Sequence, residues 1–356
     1  MVISKVLRIP KKCKEIIKKN REALSKKKVY NNQLKIDKAE VLLKPDAFRI
    51  NFIGFPESRE ADWIANFPLN MFFPDFAKKR IISFYKPQIE YYSCFEYPKK
   101  ISKSKAPVKI FWTGEDVINN YKDFSNHLLP DVDLAIGFCP ESMISEEYRF
   151  KYIRYPLWLL YYFIGESYRI FTKDRIASVV NQINSKRNKH SEFCSLVARH
   201  DRNGIRKSIM DCIGNIDNIK CPGSVFHNDD SLKSVYSDDK VKYLENFMFN
   251  ICPENTDVDG YVTEKLFQSF DSGCIPLYNG GGAYLEPNVV NKKAIIYFDS
   301  DYKEDFFMQV RELWTNRLAY EDFIKQPRLL DSSVDWIYDK MTELKDRYDE
   351  LFSKIL

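Results

Sequence analysis

The 356-residue sequence is poor in the residues that build metal centres and disulfide frameworks. Its eight cysteines form no Cys-x-x-Cys pair and there are only four histidines, so no structural zinc site is expected. With only 12 glycines and 16 prolines, the chain is neither collagen-like nor dominated by linkers. No apolar run approaches the length of about 18 residues that a membrane-spanning helix needs.

The net charge of the chain is small for its length. The chain carries 55 basic and 50 acidic residues, a net charge of +5 that does not by itself indicate a nucleic-acid partner. The first apolar stretch is interrupted by Lys5 and Arg8 and does not have the form of a secretory signal peptide. We therefore expect a cytoplasmic protein whose thiols are reduced.

Residues 1–30 are the most basic segment, with eleven Lys or Arg and two acids, Glu15 and Glu22. If this segment is helical, it could hold the protein on an anionic membrane surface, peripherally on the inner face. A solvated tail is the alternative that the sequence leaves open.

Short apolar runs alternate with helical patterns along the rest of the chain. Eight runs are predicted as buried strands: 49–54, 80–84, 108–112 and 134–138, then 193–198, 247–251, 274–278 and 294–298. Strands spaced by helices predict parallel sheets, here in two α/β domains at 31–167 and 191–330 that face a cleft. Segment 168–190 is predicted to connect them. Ligands bind such sheets beyond the carboxyl ends of the strands.

The carboxyl-terminal segment 331–356 has a heptad pattern that predicts a helix. Its apolar residues recur at alternating spacings of three and four: Val334, Ile337, Met341, Leu344, Tyr348, Leu351 and Ile355. Such a helix could pair with a second copy as a coiled coil and so form a homodimer. It could equally dock on its own chain.

The densest polar cluster follows the predicted strand 247–251. The sequence CPENTDVDGYVTEK (252–265) predicts a strand end, a turn, and a helix from about Val262. Lys265 in the first helical turn could hold a diphosphate, since helix N-termini favour anions, and Glu264 could accept hydrogen bonds from sugar hydroxyls. A capping box with a solvated Glu-Lys pair is the alternative for this pair alone.

Two further polar segments follow predicted strands. VKIFWTGEDVINN places Glu115 after the strand 108–112, with Asp116 beside it as a rival carboxylate. SLVARHDRNGIR places Arg202 and Arg206 after the strand 193–198, and either could bind phosphate.

Together these three segments resemble the signature of the α-1,3/4-fucosyltransferases, glycosyltransferase family 10. That signature is F-x-x-x-F-E-N-(T/S), a short spacer, and (G/D)-Y-(V/I)-T-E-K, preceded by a T-G-E segment and by a donor-binding Arg. The matches run in family order across residues 108–280. Pro253 stands where the family usually has Phe.

The resemblance implies a GT-B fold and an inverting reaction. The donor would be GDP-β-L-fucose, bound by 191–330. The product would carry fucose in α-1,3 or α-1,4 linkage on a GlcNAc or Glc hydroxyl, as in Lewis-type or O-antigen structures. Domain 31–167 would bind the acceptor, an oligosaccharide or a lipid-linked glycan.

The resemblance also assigns roles to individual residues. Glu115 would be the general base, with Arg206 preferred over Arg202 for the diphosphate together with Lys265. The ribose and fucose side would be held by Asn255, Tyr261 and Glu264. Glu264 would in addition place a negative charge near the oxocarbenium-like centre.

No metal cofactor is expected, although Mn²⁺ or Mg²⁺ could stimulate the reaction. The D-x-D triplets 131–133 and 257–259 are interpreted as turn residues. Two other functions stay open: a related GT-B transferase using another nucleotide sugar, and a non-enzymatic protein binding membrane or nucleic acid through 1–30.

Overall fold

The computed structural model describes residues 11–55, 72–95, 101–163, 172–187 and 191–355. Within them the chain folds into two parallel β-sheets, one after the other along the sequence. The prediction of an α/β protein built from two such units is therefore confirmed in its main feature.

The first sheet has six strands in the order β2-β1-β3-β4-β5-β6, and every neighbouring pair is parallel. The strands are β1 (Phe48–Ile53), β2 (Arg80–Ile82), β3 (Ile89–Tyr92), β4 (Val108–Trp112), β5 (Leu134–Gly137) and β6 (Tyr152–Arg154). Strands β3 and β6 were not predicted. Both are short, and β6 begins within a polar, charged stretch that has no strand pattern.

The second sheet has five parallel strands in the order β11-β10-β9-β7-β8. The strands are β7 (Glu192–Ser195), β8 (Ile219–Lys220), β9 (Phe247–Ile251), β10 (Ile275–Tyr278) and β11 (Ile296–Tyr297). All five residues of β9 are buried, as is typical of a central strand covered on both faces. Strand β8 was not predicted because Ile219–Lys220 contains no apolar run.

The helices lie between and beside these strands. They are α1 (Lys11–Leu43), α2 (Pro74–Lys79), α3 (Leu157–Tyr162), α4 (Lys173–Ser185), α5 (Ile205–Ile213), α6 (Ser231–Ser234), α7 (Lys240–Leu244), α8 (Glu264–Asp271), α9 (Lys303–Thr315), α10 (Arg317–Ile324) and α11 (Ser333–Phe352). Helix α8 begins two residues later than predicted because Thr263 caps it: the Thr263 hydroxyl accepts from the backbone N–H of Lys265.

The carboxyl-terminal helix α11 returns to the first sheet. Its apolar face joins the core of that sheet, where the Tyr348 and Tyr91 hydroxyls lie 2.9 Å apart and the rings of Phe352 and Phe48 meet edge to face at 5.7 Å. Five residues of the apolar heptad pattern are buried within one chain: Ile337, Met341, Leu344, Tyr348 and Leu351. The coiled-coil alternative is therefore wrong, because this face is already covered.

Segment 168–190 contains regular structure. Helix α4 begins after Thr172, whose hydroxyl accepts from the backbone N–H of Arg175, and it buries Ile176, Val180 and Ile183. These residues belong to the same core as the first sheet and α11. The span predicted as a connection thus supplies a packing helix.

Helix α1 is long, and its described side chains are mostly exposed. It is attached near its carboxyl end, where the buried Asp37 accepts from the backbone N–H of Phe84 at 2.7 Å. The ring of Tyr30 contacts that of Phe84 at 5.2 Å. Among the described helices, none combines the length and hydropathy needed to span a membrane. The predicted lipid attachment of residues 1–30 stays a prediction.

A buried ion pair joins the two halves of the molecule. Arg154, at the end of β6, donates to both carboxylate oxygens of Glu286 at 3.0 and 2.7 Å, and Trp158 donates to the same carboxylate at 2.9 Å. Both charged side chains are almost fully buried. Breaking such a pair typically costs about 3–5 kcal/mol. This contact lies within a hydrophobic core that both halves share.

Candidate active site

A cavity of about 610 Å³ lies where the carboxyl ends of both sheets meet. The first half of the chain contributes Gly114, Glu115, Leu157 and Tyr161 to its lining. The second half contributes most of the polar side chains, among them Arg206, Asn255, Tyr261, Glu264 and Lys265. Every residue predicted for the site therefore lines this single cavity.

Glu115 reaches the cavity from the first sheet. It follows β4 after Thr113 and Gly114, and its backbone N–H donates to the Thr113 hydroxyl at 3.0 Å. Burial raises the pKa of Glu115 above its ordinary value, and the positive charge of Lys265 opposes the rise. A carboxylate with a pKa closer to neutrality is better matched to general-base work than a solvated one.

The rival carboxylate, Asp116, is turned away from the cavity. It is fully buried, and one oxygen accepts from the backbone N–H groups of Ile118 and Asn119 at 2.9 and 3.0 Å. Its other oxygen accepts from the Asn119 side chain at 3.2 Å. Asp116 therefore shapes the turn that presents Glu115.

Glu254 binds several donors at the start of α8. Its buried carboxylate accepts from the backbone N–H and the hydroxyl of Thr263 at 2.8 to 3.0 Å. It also accepts from the ammonium of Lys265 at 2.8 Å and from the Tyr278 hydroxyl at 3.3 Å. The sequence analysis gave Glu254 no role; in the structure it holds Lys265 at the cavity wall.

The charge of Lys265 is secured by this arrangement. Burial disfavours the ammonium, but Glu254 and then Glu264 outweigh that effect, so the pKa of Lys265 is raised. About a fifth of the side chain remains exposed, and this part faces the cavity. A bound anion would therefore meet a lysine that is fully protonated.

Arg206 and Asn255 form a second polar contact in the wall. Arg206 lies in the first turn of α5, almost fully buried, and donates to the Asn255 side-chain oxygen at 3.0 Å. It also donates to the carbonyl of Pro253 at 3.4 Å, so the residue that departs from the signature supplies a main-chain acceptor. Arg202 is exposed and does not line the cavity.

Tyr261 and Glu264 complete the predicted set. Tyr261 is buried and packs edge to face on Phe138 of the first half, with ring centroids 5.0 Å apart. The close approach depends on Gly260, whose φ is +75° and whose added Cβ would lie 2.9 Å from the Phe138 carbonyl oxygen. Glu264, in the first turn of α8, lines the cavity beside Lys265.

Several lining residues were not predicted. Those with polar side chains include Tyr161 on α3, His200 after β7, Lys240 on α7 and Gln268 on α8. Their common property is a position at the carboxyl edge of the sheets. That property could be deduced only once the short helices α3 and α7 were known.

The D-x-D triplets hold no cluster suited to a metal. Asp133 accepts from the backbone N–H of Lys109 at 2.9 Å, and Asp257 and Asp259 accept from the backbone N–H groups of Gly282 and Ala283 at 2.7 and 2.8 Å. Within the described part of the chain, no group of three His, Cys, Asp or Glu side chains is placed to bind a metal ion.

Two protein-family models match the sequence of this chain. The model of the α-(1,3)-fucosyltransferase FucT N-terminal domain matches residues 50–161, and the model of the glycosyltransferase family 10 (fucosyltransferase) C-terminal part matches residues 185–336. The chain belongs to glycosyltransferase family 10. The resemblance drawn from three short segments is thereby confirmed, and the two family domains coincide with the two sheets.

Relatives within family 10 are distant. The chain is 25% identical to the α-(1,3)-fucosyltransferase FucT of Helicobacter pylori over 250 residues, which cover 64% of this chain and 48% of that protein. It is 33% identical over 92 residues to an α-(1,4)-fucosyltransferase of Arabidopsis thaliana, covering 22% and 23% of the two chains. The chain thus spans less than half the length of these two relatives.

A solved structure supports the fold assignment. The crystal structure of an α1,3-fucosyltransferase with GDP-fucose superposes with a TM-score of 0.56 at 21% identity, covering 84% of this chain and 90% of that one. The predicted GT-B arrangement of two Rossmann-like domains facing a cleft is confirmed.

Proposed function

We propose that this family 10 protein transfers L-fucose from GDP-β-L-fucose to a hydroxyl of a glycan acceptor, with inversion to an α linkage. One observation carries the proposal: a carboxylate from the first sheet, Glu115, faces Lys265, Arg206 and Glu264 from the second sheet across one cavity. The linkage would be α-1,3 or α-1,4, to GlcNAc or Glc.

The proposed reaction is a single displacement. The Glu115 carboxylate takes the proton of the acceptor hydroxyl as its oxygen forms a bond to C1 of fucose. The bond between C1 and the β-phosphate oxygen breaks at the same time, and its electron pair leaves with GDP. Inversion in one step needs only this one base on the acceptor side.

Departure of GDP adds negative charge to the β-phosphate, and the second sheet would stabilise it. Lys265 and Arg206 supply cationic donors, and the first turn of α8 supplies backbone N–H groups at the positive end of a helix. Glu264, beside them, would face the positive charge that develops on the fucose ring. Asn255 and Tyr261 would contact the ribose and fucose hydroxyls.

Exposed aromatic side chains on the first half favour a sugar acceptor. Tyr161 lines the cavity with about half of its surface exposed. The rings of Phe95 and Tyr121 meet edge to face at 5.7 Å. Burial is the main cause of the raised pKa of Tyr121, and the negative charge of Glu115 raises it further. Flat apolar faces beside a general base suit a pyranose ring that must present one hydroxyl.

The test is a panel of nucleotide sugars incubated with the full chain and a series of glycan acceptors ending in GlcNAc or Glc. Mass spectrometry of the acceptors should show a fucose added from GDP-fucose alone, and NMR should show the α-anomeric proton. Transfer from a different nucleotide sugar would establish the related transferase instead. Absence of both transfer and donor hydrolysis across the panel would contradict an enzymatic function.

A further inference from the structure

Lys240 is a cavity residue to which neither the signature nor the predicted site assigns a role. It is the first residue of α7, which leads into strand β9 and packs against α8. A helix that precedes a strand of a parallel sheet runs back toward the strand's amino end. Its first residue therefore lies at the carboxyl edge, where the cavity is.

The surroundings of Lys240 differ from those of the other cations in the cavity wall. Lys265 is paired with Glu254 at 2.8 Å, and Arg206 donates to Asn255 with Asp201 4.0 Å away. Among the described residues, none forms a hydrogen bond or an ion pair with the Lys240 ammonium. Its charge is therefore not compensated by any direct contact.

The Lys240 side chain is half-buried in the cavity wall. Burial lowers the pKa of Lys240, and the nearby Glu264 only partly opposes the shift. Two other cations of the lining, Arg199 and Lys233, are exposed to water and carry no such penalty. A half-buried ammonium that lines the cavity and has no protein partner is a group to which a bound anion can pair directly.

We propose that Lys240 binds the diphosphate of the nucleotide sugar directly, as a third cation beside Arg206 and Lys265. The inference rests on the proposed function, which supplies the diphosphate. Since Lys265 is largely neutralised by Glu254, Lys240 supplies the uncompensated charge of the site. It would stabilise the donor on binding and GDP on departure.

Calorimetric titration of the full chain with GDP tests this assignment, with Lys240→Met as the variant and Lys242→Met as the matched control. Lys242 lies on the same helix, paired with Asp239 on the surface and outside the cavity. We expect GDP affinity to fall about 10- to 100-fold in Lys240→Met, the loss of a charge-assisted contact, and to stay unchanged in the control.

Thermal unfolding without ligand provides a second readout. Removing a half-buried charge that has no partner should leave the unfolding midpoint of the Lys240→Met protein equal to that of the wild type or above it. GDP should then raise that midpoint less than it raises the wild-type midpoint. A purely structural lysine would instead lower the ligand-free midpoint when replaced.

The outcomes distinguish a failure of the role of Lys240 from a failure of the proposed fucosyltransferase function. If wild type binds GDP and Lys240→Met binds it equally well, the role of Lys240 is overturned and the proposed function stands. The same holds if GDP affinity is unchanged while turnover falls, because Lys240 would then act through Glu264. A wild-type protein that binds no GDP would overturn the proposed donor and this inference with it.

Discussion

Replacing Glu254 by Gln removes the charge that holds the first turn of α8 and Lys265 in place. The carboxylate accepts four kinds of donor: the backbone N–H and hydroxyl of Thr263, the Lys265 ammonium and the Tyr278 hydroxyl. Gln retains one acceptor oxygen but turns an NH₂ group toward a cation or a hydroxyl. Breaking a buried pair costs about 3–5 kcal/mol, and because Lys265 is partly exposed we expect the lower end, about 3 kcal/mol.

Thermal unfolding should show this loss, since about 3 kcal/mol corresponds to a fall of about 6–12 °C for a domain of this size. GDP affinity should fall as well, because Lys265 would no longer be held at the cavity wall. Tyr278→Phe is the matched control: it removes only the 3.3 Å hydrogen bond and should cost about 1 kcal/mol. Wild-type stability in Glu254→Gln would refute the reasoning.

Three further predictions concern the donor site, the base and metals. Arg206→Ala should weaken GDP binding about 10-fold or more by calorimetry, whereas Arg202→Ala should not; the reverse result would exchange their roles. Glu115 must be deprotonated to act, so kcat/KM should fall as the pH drops through its raised pKa. Because the charge of Lys265 lowers that pKa, Lys265→Met should move the acidic limb to higher pH, and an unmoved limb would contradict this. Activity should survive EDTA, and complete loss that Mn²⁺ restores would contradict a metal-independent reaction.

The strands that could be predicted are those that lie in short, mostly apolar runs. Strand β9 was predicted with its observed bounds because every residue in it except Asn250 is apolar. Strands β3, β6 and β8 were missed because they are defined by pairing with other strands and not by an apolar run of their own. Sequence periodicity does not report such contacts.

The carboxyl-terminal helix illustrates the same limit. Its heptad pattern predicted the helix and its buried face, but an apolar face does not indicate which surface packs against it. The partner is the first sheet, reached through the Tyr348–Tyr91 contact between residues 257 positions apart. Helix α4 was missed because its three buried residues are spread among polar ones.

The candidate site could be predicted more fully than the fold around it. Glu115 follows β4 closely, and Arg206 and Lys265 lie in the first turns of the helices that follow β7 and β9. The topology of a parallel sheet brings these positions together at one edge. Lys240 could not be found in this way, because it precedes its strand and depends on the direction of α7. The supporting role of Glu254 depends on side-chain distances, which no sequence pattern gives.

Glu115→Gln is the most direct test of the central claim, measured as transfer from GDP-fucose with GDP binding followed in the same preparation. The base acts only on the acceptor hydroxyl, so transfer should fall about 10²- to 10⁴-fold while GDP affinity stays close to wild type. Gln keeps the size of the side chain, which limits any effect on packing. Wild-type turnover in Glu115→Gln would contradict the account, because the carboxylate that faces the donor site would then not be the base.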